Sequence, residues 1–282
     1  MTTTQPSVRR RDLPVPGGSI AALEAVPPGA VDGPPLVLVP GYTGTKEDFA
    51  AVLLPFAAAG RHVVAIDQRG QFETEGPNSP DAYTVDALAA DLLAVIGELG
   101  GRADVVGHSF GGLVARAAAI ASPAAVVSLV LLDSGPAAIG GDRRERMAAL
   151  EPVLAAHGMP GVYAALEALA AGDPTWVASP PEIKEFLRRR FLASSPVGLQ
   201  AMGDALRAEP DRTDDLAATG VPVLVAYGED DDAWPPAQQA AMAARLGAPV
   251  EVIAGAMHSP AAQRPGATAE ALLRFWSQLP GR

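Results

Sequence analysis

Residues Gly107-His108-Ser109-Phe110-Gly111 spell G-x-S-x-G, the spacing that holds a serine on a sharp strand-to-helix turn as a nucleophile. A serine hydroxyl attacks only beside a base, and an imidazole base needs a carboxylate to orient it. The chain has four histidines. His62 opens a predicted strand and reads as a rim residue. His108 lies inside the turn, points away from Ser109 and reads as packing. His157 falls in a helical stretch and reads as a surface residue. His258 is left, in Gly255-Ala256-Met257-His258-Ser259-Pro260, a loop of small residues after the last predicted strand. Such loops carry reactive groups, and His258 is the candidate general base. The best segment for the acid is Gly228-Glu229-Asp230-Asp231-Asp232-Ala233-Trp234-Pro235. Asp231 is the first choice there, with Asp232 and Asp230 behind it. Asp133, which ends an earlier strand, is the alternative.

The chemistry explains the glycines. A serine on so tight a turn holds a positive φ, and neighbouring chain crosses close by, so Gly107 and Gly111 must lack a Cβ. The helix that opens at Phe110 turns free N–H groups and its positive dipole end toward developing negative charge. Attack on a carbonyl creates an oxyanion that wants two fixed donors. The backbone N–H of Phe110 is one candidate. The other is the N–H of Tyr42, in Pro40-Gly41-Tyr42-Thr43-Gly44, directly after a predicted strand.

These residues need a frame, and the apolar pattern supplies one. Strands are predicted at 36–40, 62–67, 103–106, 126–132, 221–227 and 250–253. Helices are predicted at 46–59, at 84–99 with Thr84 as N-cap, and at 110–121, with one between the last two strands and one after them. Unbroken Val/Leu/Ile runs imply strands buried on both faces, and helices between them imply a parallel sheet. Residues 8–26 alternate in polarity around a Pro-Gly-Gly turn and read as an antiparallel hairpin at the sheet edge. Between about 136 and 209 the pattern is helical only, with segments at 143–157, 161–171, 181–192 and 197–208. That stretch is expected as a helical cap over the strand ends, with residues 1–135 and 210–282 as the core. Trp176, Phe186 and the Leu and Met residues of the cap either line an apolar pocket or form the cap's own core.

Composition narrows the function. Of 282 residues, 49% are apolar, enough for a large core, and the net charge is −11, which repels phosphate backbones and argues against nucleic-acid partners. The absence of cysteine excludes disulfides, thiolate catalysis and Cys-ligated metals. The N-terminal stretch has no apolar h-region, and no run of eighteen apolar residues appears. The expectation is a cytoplasmic protein that spans no membrane.

Over nearly its whole length the chain resembles the α/β-hydrolase superfamily. The order Ser109, Asp231, His258 is that family's nucleophile–acid–histidine order. Its G-x-x-D-x-x-x-P pattern falls on Gly228, Asp231 and Pro235, which favours Asp231 as the acid. Asp67-Gln68-Arg69-Gly70-Gln71 is similar to its D-x-R-G-x-G segment, with Gln71 where glycine is usual. Pro40-Gly41 stands where His-Gly is frequent, which removes one side-chain hydrogen bond and leaves the backbone donor. An aspartate at 109 would suggest a dehalogenase or an epoxide hydrolase, and Ser109 argues against both. The resemblance implies a doubly covered α/β sheet and hydrolysis of a small ester-like substrate, with no metal or organic cofactor. Other Ser-His-Asp reactions on the same fold are the alternatives: carbon–carbon, lactone or amide hydrolysis, haloperoxidase-like perhydrolysis, or a non-catalytic receptor. General-base catalysis by an imidazole predicts that kcat/KM rises between about pH 6 and 7. A flat pH–rate profile across that range would remove His258 from the role.

Overall fold

A computed structural model describes residues 6–172 and 174–279. The first five residues of the N-terminal stretch read above lie outside that range. Eight strands form one sheet in the spatial order β1-β2-β4-β3-β5-β6-β7-β8. They are β1 (Val8–Val15), β2 (Gly18–Ala25), β3 (Leu36–Val39), β4 (Val63–Ile66), β5 (Ala103–His108), β6 (Val126–Leu132), β7 (Val223–Gly228) and β8 (Val250–Ile253). β1 and β2 form the expected hairpin, with β1 at the sheet edge, and β2 pairs antiparallel with β4. All the other pairings are parallel.

The unbroken apolar runs do what their pattern demands. Along β3, Val37 and Val39 face one side of the sheet while Leu36 and Leu38 face the other, and all four are buried. The first face is covered by α2 (Val85–Glu98), through Leu88, Leu92, Val95 and Ile96, and by α3 (Phe110–Ala121). Thr84 caps α2 by accepting the Ala87 N–H at 3.2 Å. The second face is covered by α1 (Ala50–Ala58), with Val52, Leu53 and Phe56. There it meets a C-terminal helix at Pro265–Ser277, with Leu272, Phe275 and Trp276. The edge strand β8 departs from the expectation of two buried faces, for Val250 and Val252 are exposed.

Between β6 and β7 the described chain is helical. α4 (Gly141–Ala170) is followed by α5 (Pro174–Ala178), α6 (Pro181–Ala193), α7 (Pro196–Ala208) and α8 (Thr213–Ala218). The span of α4 is two helices that meet at a kink at Gly158, whose φ is 62°, in keeping with the two segments expected at 143–157 and 161–171. α4 meets the length and composition of a membrane-crossing helix, although the sequence shows no unbroken apolar run. It is interrupted at Gly158 and carries Pro152 and Pro160. Its inward side joins α6 and α7 in a small core of Met159, Val162, Tyr163, Phe191 and Leu199.

Arg116 fastens both ends of this insert to the core. It projects from α3, is 1% exposed, and donates to the Pro136 carbonyl at one end of the insert. At the other end it donates to the Glu209 carboxylate at 2.9 Å and the Pro210 carbonyl at 3.3 Å. Removing one partner of a buried pair leaves the other charge uncompensated. Arg116→Met therefore lowers stability by about 3 kcal/mol, read as a fall of several degrees in the thermal midpoint. An unchanged midpoint would refute the role given to Arg116.

Candidate active site

Ser109 sits at the junction of β5 and α3 with φ 55° and ψ −122°, a strained conformation for a residue with a Cβ. The two glycines make the strain possible. A Cβ on Gly107 would lie 2.4 Å from the Gly111 carbonyl oxygen, and a Cβ on Gly111 would lie 2.4 Å from the carbonyl oxygens of both Val39 and Pro40. The turn is thus packed against the end of β3, and the loop after β3 is held against the serine.

The structure brings the three predicted side chains together. His258 Nε2 lies 2.9 Å from Ser109 Oγ, and His258 Nδ1 lies 2.8 Å from Asp231 Oδ1. Ser109, Asp231 and His258 are 6%, 5% and 9% exposed. The same Asp231 oxygen accepts the Ala233 N–H at 2.8 Å. The other accepts the Gln239 amide at 2.6 Å. Burial pushes the Asp231 carboxyl up, but the hydrogen bond and charge of His258, with the Ala233 and Gln239 donors, outweigh it and hold its pKa below the usual carboxylate range. Gln239 belongs to α9 (Pro236–Leu246), eight residues past Asp231. No motif in the sequence marks it.

Of the alternative acids, Asp230 and Asp232 are exposed. Asp133 is fully buried beside Asp231, with φ 47° and the Gly228 N–H on its Oδ1 at 2.8 Å. Burial and the negative charge of Asp231 push its carboxyl well above the usual range. Asp133, Asp231 and His258 place ligand-type atoms within 4.8 Å of one another. Both ring nitrogens of His258 are already engaged, so a cation there would have to displace the bond to Asp231 or the bond to Ser109.

His108 does more than pack. Its Nε2 donates to the His258 carbonyl oxygen at 2.6 Å, and the two rings lie 5.1 Å apart. Burial and the neighbouring His258 push its pKa down to about 4, so it stays neutral and braces the His258 loop. His62 is held at the far side by Glu24, 2.8 Å away, and His157 is exposed on α4, as expected of each.

Phe110 is the first residue of α3, and its N–H has no place in the helical ladder. Among the described turn and loop bonds, neither its N–H nor that of Tyr42 is spent on a backbone acceptor. Two buried glutamines fix the Pro40–Tyr42 turn. Gln68 donates to the Pro40 carbonyl at 2.8 Å, and Gln71 donates to the Gly41 carbonyl at 2.8 Å and the Tyr42 carbonyl at 3.3 Å. Gln71 also accepts the Gln68 N–H at 2.9 Å. The residue that departs from the usual glycine is a brace for the turn, supplying bonds in a region where the sequence shows one lost.

A cavity of about 550 Å³ opens over Ser109 and His258. The insert lines much of it, with Met147, Leu150, Leu154, Val162, Phe191 and Leu199. Trp176 and Phe186 are not among its walls. Lys184 lies over the Trp176 ring, and Phe186 meets Phe72 edge-on. The two aromatics therefore meet neither expectation: they stand outside the cavity wall and outside the insert's small core.

The model of the Alpha/beta hydrolase family matches residues 36–271. A non-heme chloroperoxidase from Streptomyces lividans is 32% identical over 237 residues, covering 77% of this chain and 82% of that protein. A hydrolase from Pseudomonas aeruginosa shares the fold with a TM-score of 0.77 at 27% identity, over 95% of this chain and 98% of the other. A thermophilic esterase from Thermogutta terrifontis matches with a TM-score of 0.76 at 24% identity, over 96% and 98%. With the family model covering most of its length and a relative this similar over three quarters of it, the chain belongs to the α/β-hydrolase family.

Proposed function

We propose that the protein is a serine hydrolase that cleaves carboxylic ester-type bonds through an acyl-enzyme. The observation that carries this reading is the unbroken hydrogen-bonded line from Ser109 Oγ through His258 to Asp231. His258 Nε2 takes the Ser109 proton as Oγ bonds to the substrate carbonyl carbon. The negative charge moves to the carbonyl oxygen, held by the N–H groups of Phe110 and Tyr42. The tetrahedral adduct collapses, the carbon–oxygen bond to the alcohol breaks, and the imidazolium gives its proton to the departing oxygen. Water then attacks the acyl-serine, its proton passes to Nε2 and on to Ser109, and the carboxylic acid leaves. Asp231 keeps Nδ1 protonated and stabilises the imidazolium. Residues 136–209 act as the cap of this site, and residues 1–135 and 210–282 as its catalytic core. The cap's aliphatic side chains favour an apolar substrate portion.

A second reading is favoured by the chloroperoxidase relative. Hydrogen peroxide in place of water at the second step would release a peracid from the same acyl-serine. The site differs in no other respect, so this is a question of which nucleophile reaches the acyl group.

Ser109→Ala lowers ester hydrolysis by at least about 10³-fold with the thermal midpoint unchanged, and a fluorophosphonate probe labels the wild type but not the variant. Wild-type turnover by Ser109→Ala would sink the nucleophile assignment. Gln71→Leu loosens the Tyr42 donor without removing it. Its kcat falls about tenfold, short of the ~10²–10³ seen when a donor is deleted, while KM changes little. An unaltered kcat would show that the turn holds its shape without Gln71.

A further inference from the structure

This inference rests on the ester-cleavage reading above and concerns what the substrate carries. The charged residues on the cavity wall, His258 aside, are Asp48, Arg143, Arg146, Arg190 and Asp232. Three cations face two carboxylates, on a chain whose net charge is −11. Arg190 is consumed: it pairs with Asp48 and donates to the Thr45 hydroxyl at 3.0 Å. Arg143 grips Asp232 through Nη2 at 2.7 Å and Nε at 3.3 Å. Arg146 reaches the second oxygen of that same carboxylate only at 3.7 Å, and its side chain is 54% exposed. Two guanidiniums therefore share one carboxylate, and among the described residues Arg146 has no closer acceptor. Asp232 directly follows Asp231, so the pair stands on the side of the cavity from which the triad acid comes. Apart from Arg190, the other walls of the insert are apolar, mostly aliphatic with Phe191.

We propose that the site takes esters whose chain ends in a carboxylate, that is, half-esters of dicarboxylic acids, and that Arg146 and Arg143 bind the free acid while the aliphatic walls take the methylene chain. A guanidinium fork matches a carboxylate in shape and charge. The acidic chain as a whole repels an anionic substrate, and the surplus arginine reverses that repulsion where the substrate enters. The rival explanation is a structural latch, in which the two arginines only tie α4 to the loop of Asp231. The explanations predict opposite effects of removing Asp232: loss of function if it is a latch, and freed guanidiniums with a stronger preference for anions if the arginines bind substrate.

The test compares kcat/KM for p-nitrophenyl half-esters of glutarate, adipate and suberate with the same compounds carrying a methyl ester at the far end. At low salt the wild type prefers the free acids about tenfold, mainly through KM. The ratio shrinks with added salt, falls toward one in Arg143→Gln/Arg146→Gln and rises in Asp232→Asn. A wild-type ratio of one or less, or a ratio that the double variant leaves unchanged, overturns the proposal. If the double variant does not fold, Arg146→Gln alone lowers the ratio by a smaller factor, and no change there overturns it too. If neither kind of ester turns over, the proposed reaction fails, and the anion preference is read separately by thermal shift. Stabilisation of the wild type by suberate and not by dimethyl suberate, absent from Arg146→Gln, supports it. No stabilisation, or stabilisation by octyl phosphate alone, overturns it.

Discussion

The hydrogen bond between Ser109 Oγ and His258 Nε2 joins two points 149 residues apart in the chain, and most of the architecture can be read as what that bond requires. The serine must leave the sheet at its carboxyl edge, which a positive φ achieves. A positive φ with a Cβ costs of order 1–3 kcal/mol, so the turn persists only if its surroundings allow nothing looser. The contacts at Gly107 and Gly111 supply that restraint. Any larger residue at either position would push β5, α3 or the end of β3 apart. The histidine must arrive from the other side of β7, and its loop is braced through its own carbonyl by His108, the residue just before the serine. The nucleophile turn thus positions its own base.

Electrostatics impose an order on the same cluster. Asp133, Asp231 and His258 are packed together away from water, where two negative charges side by side are too costly to keep. The conflict resolves by unequal hydrogen bonding. Asp231 collects donors from His258, Ala233 and Gln239, whereas among the described residues the backbone donor on Asp133 is the Gly228 N–H. The carboxyl of Asp231 is therefore held low and that of Asp133 is pushed up. Of the two carboxyls, the imidazole Nδ1 bonds to Asp231.

The frame and the convergence of Ser109, Asp231 and His258 were legible in the sequence for physical reasons. A strand buried on both faces must be largely apolar, and β3 to β7 are, with the buried Asp104 of β5 and Ser128 of β6 hydrogen-bonded to each other. A serine at positive φ needs small neighbours, and the glycines are there. The hairpin at residues 8–26 announced itself by alternation. What escaped was everything that acts through packing at a distance. Gln71 looked like a lost glycine because its neighbours in space, the carbonyls of Gly41 and Tyr42, are thirty residues earlier. Gln239 sits in an ordinary amphipathic helix. His108 was read by the direction of its neighbour and not by the loop it meets. Trp176 and Phe186 were weighed as pocket walls because large apolar residues in a cap suit that use. Which face a helix of the insert turns inward depends on its partners, and here Phe191 and several aliphatic residues take the position.

The division of labour between core and insert follows from how each is held. The groups that react stand on strand ends and on turns clamped by buried polar side chains, where small displacements meet steric resistance. The insert has its own small core and is tied down at both ends by one arginine from α3. Across the cavity mouth it meets the acid loop through the shared carboxylate of Asp232, and those partners are partly exposed. Ion pairs open to solvent are weak and replaceable. The insert can therefore change its cavity-facing side chains without disturbing Ser109 or His258. Under the half-ester proposal, specificity falls where two guanidiniums share the carboxylate of Asp232, since a fully paired wall would offer an incoming anion nothing that water does not.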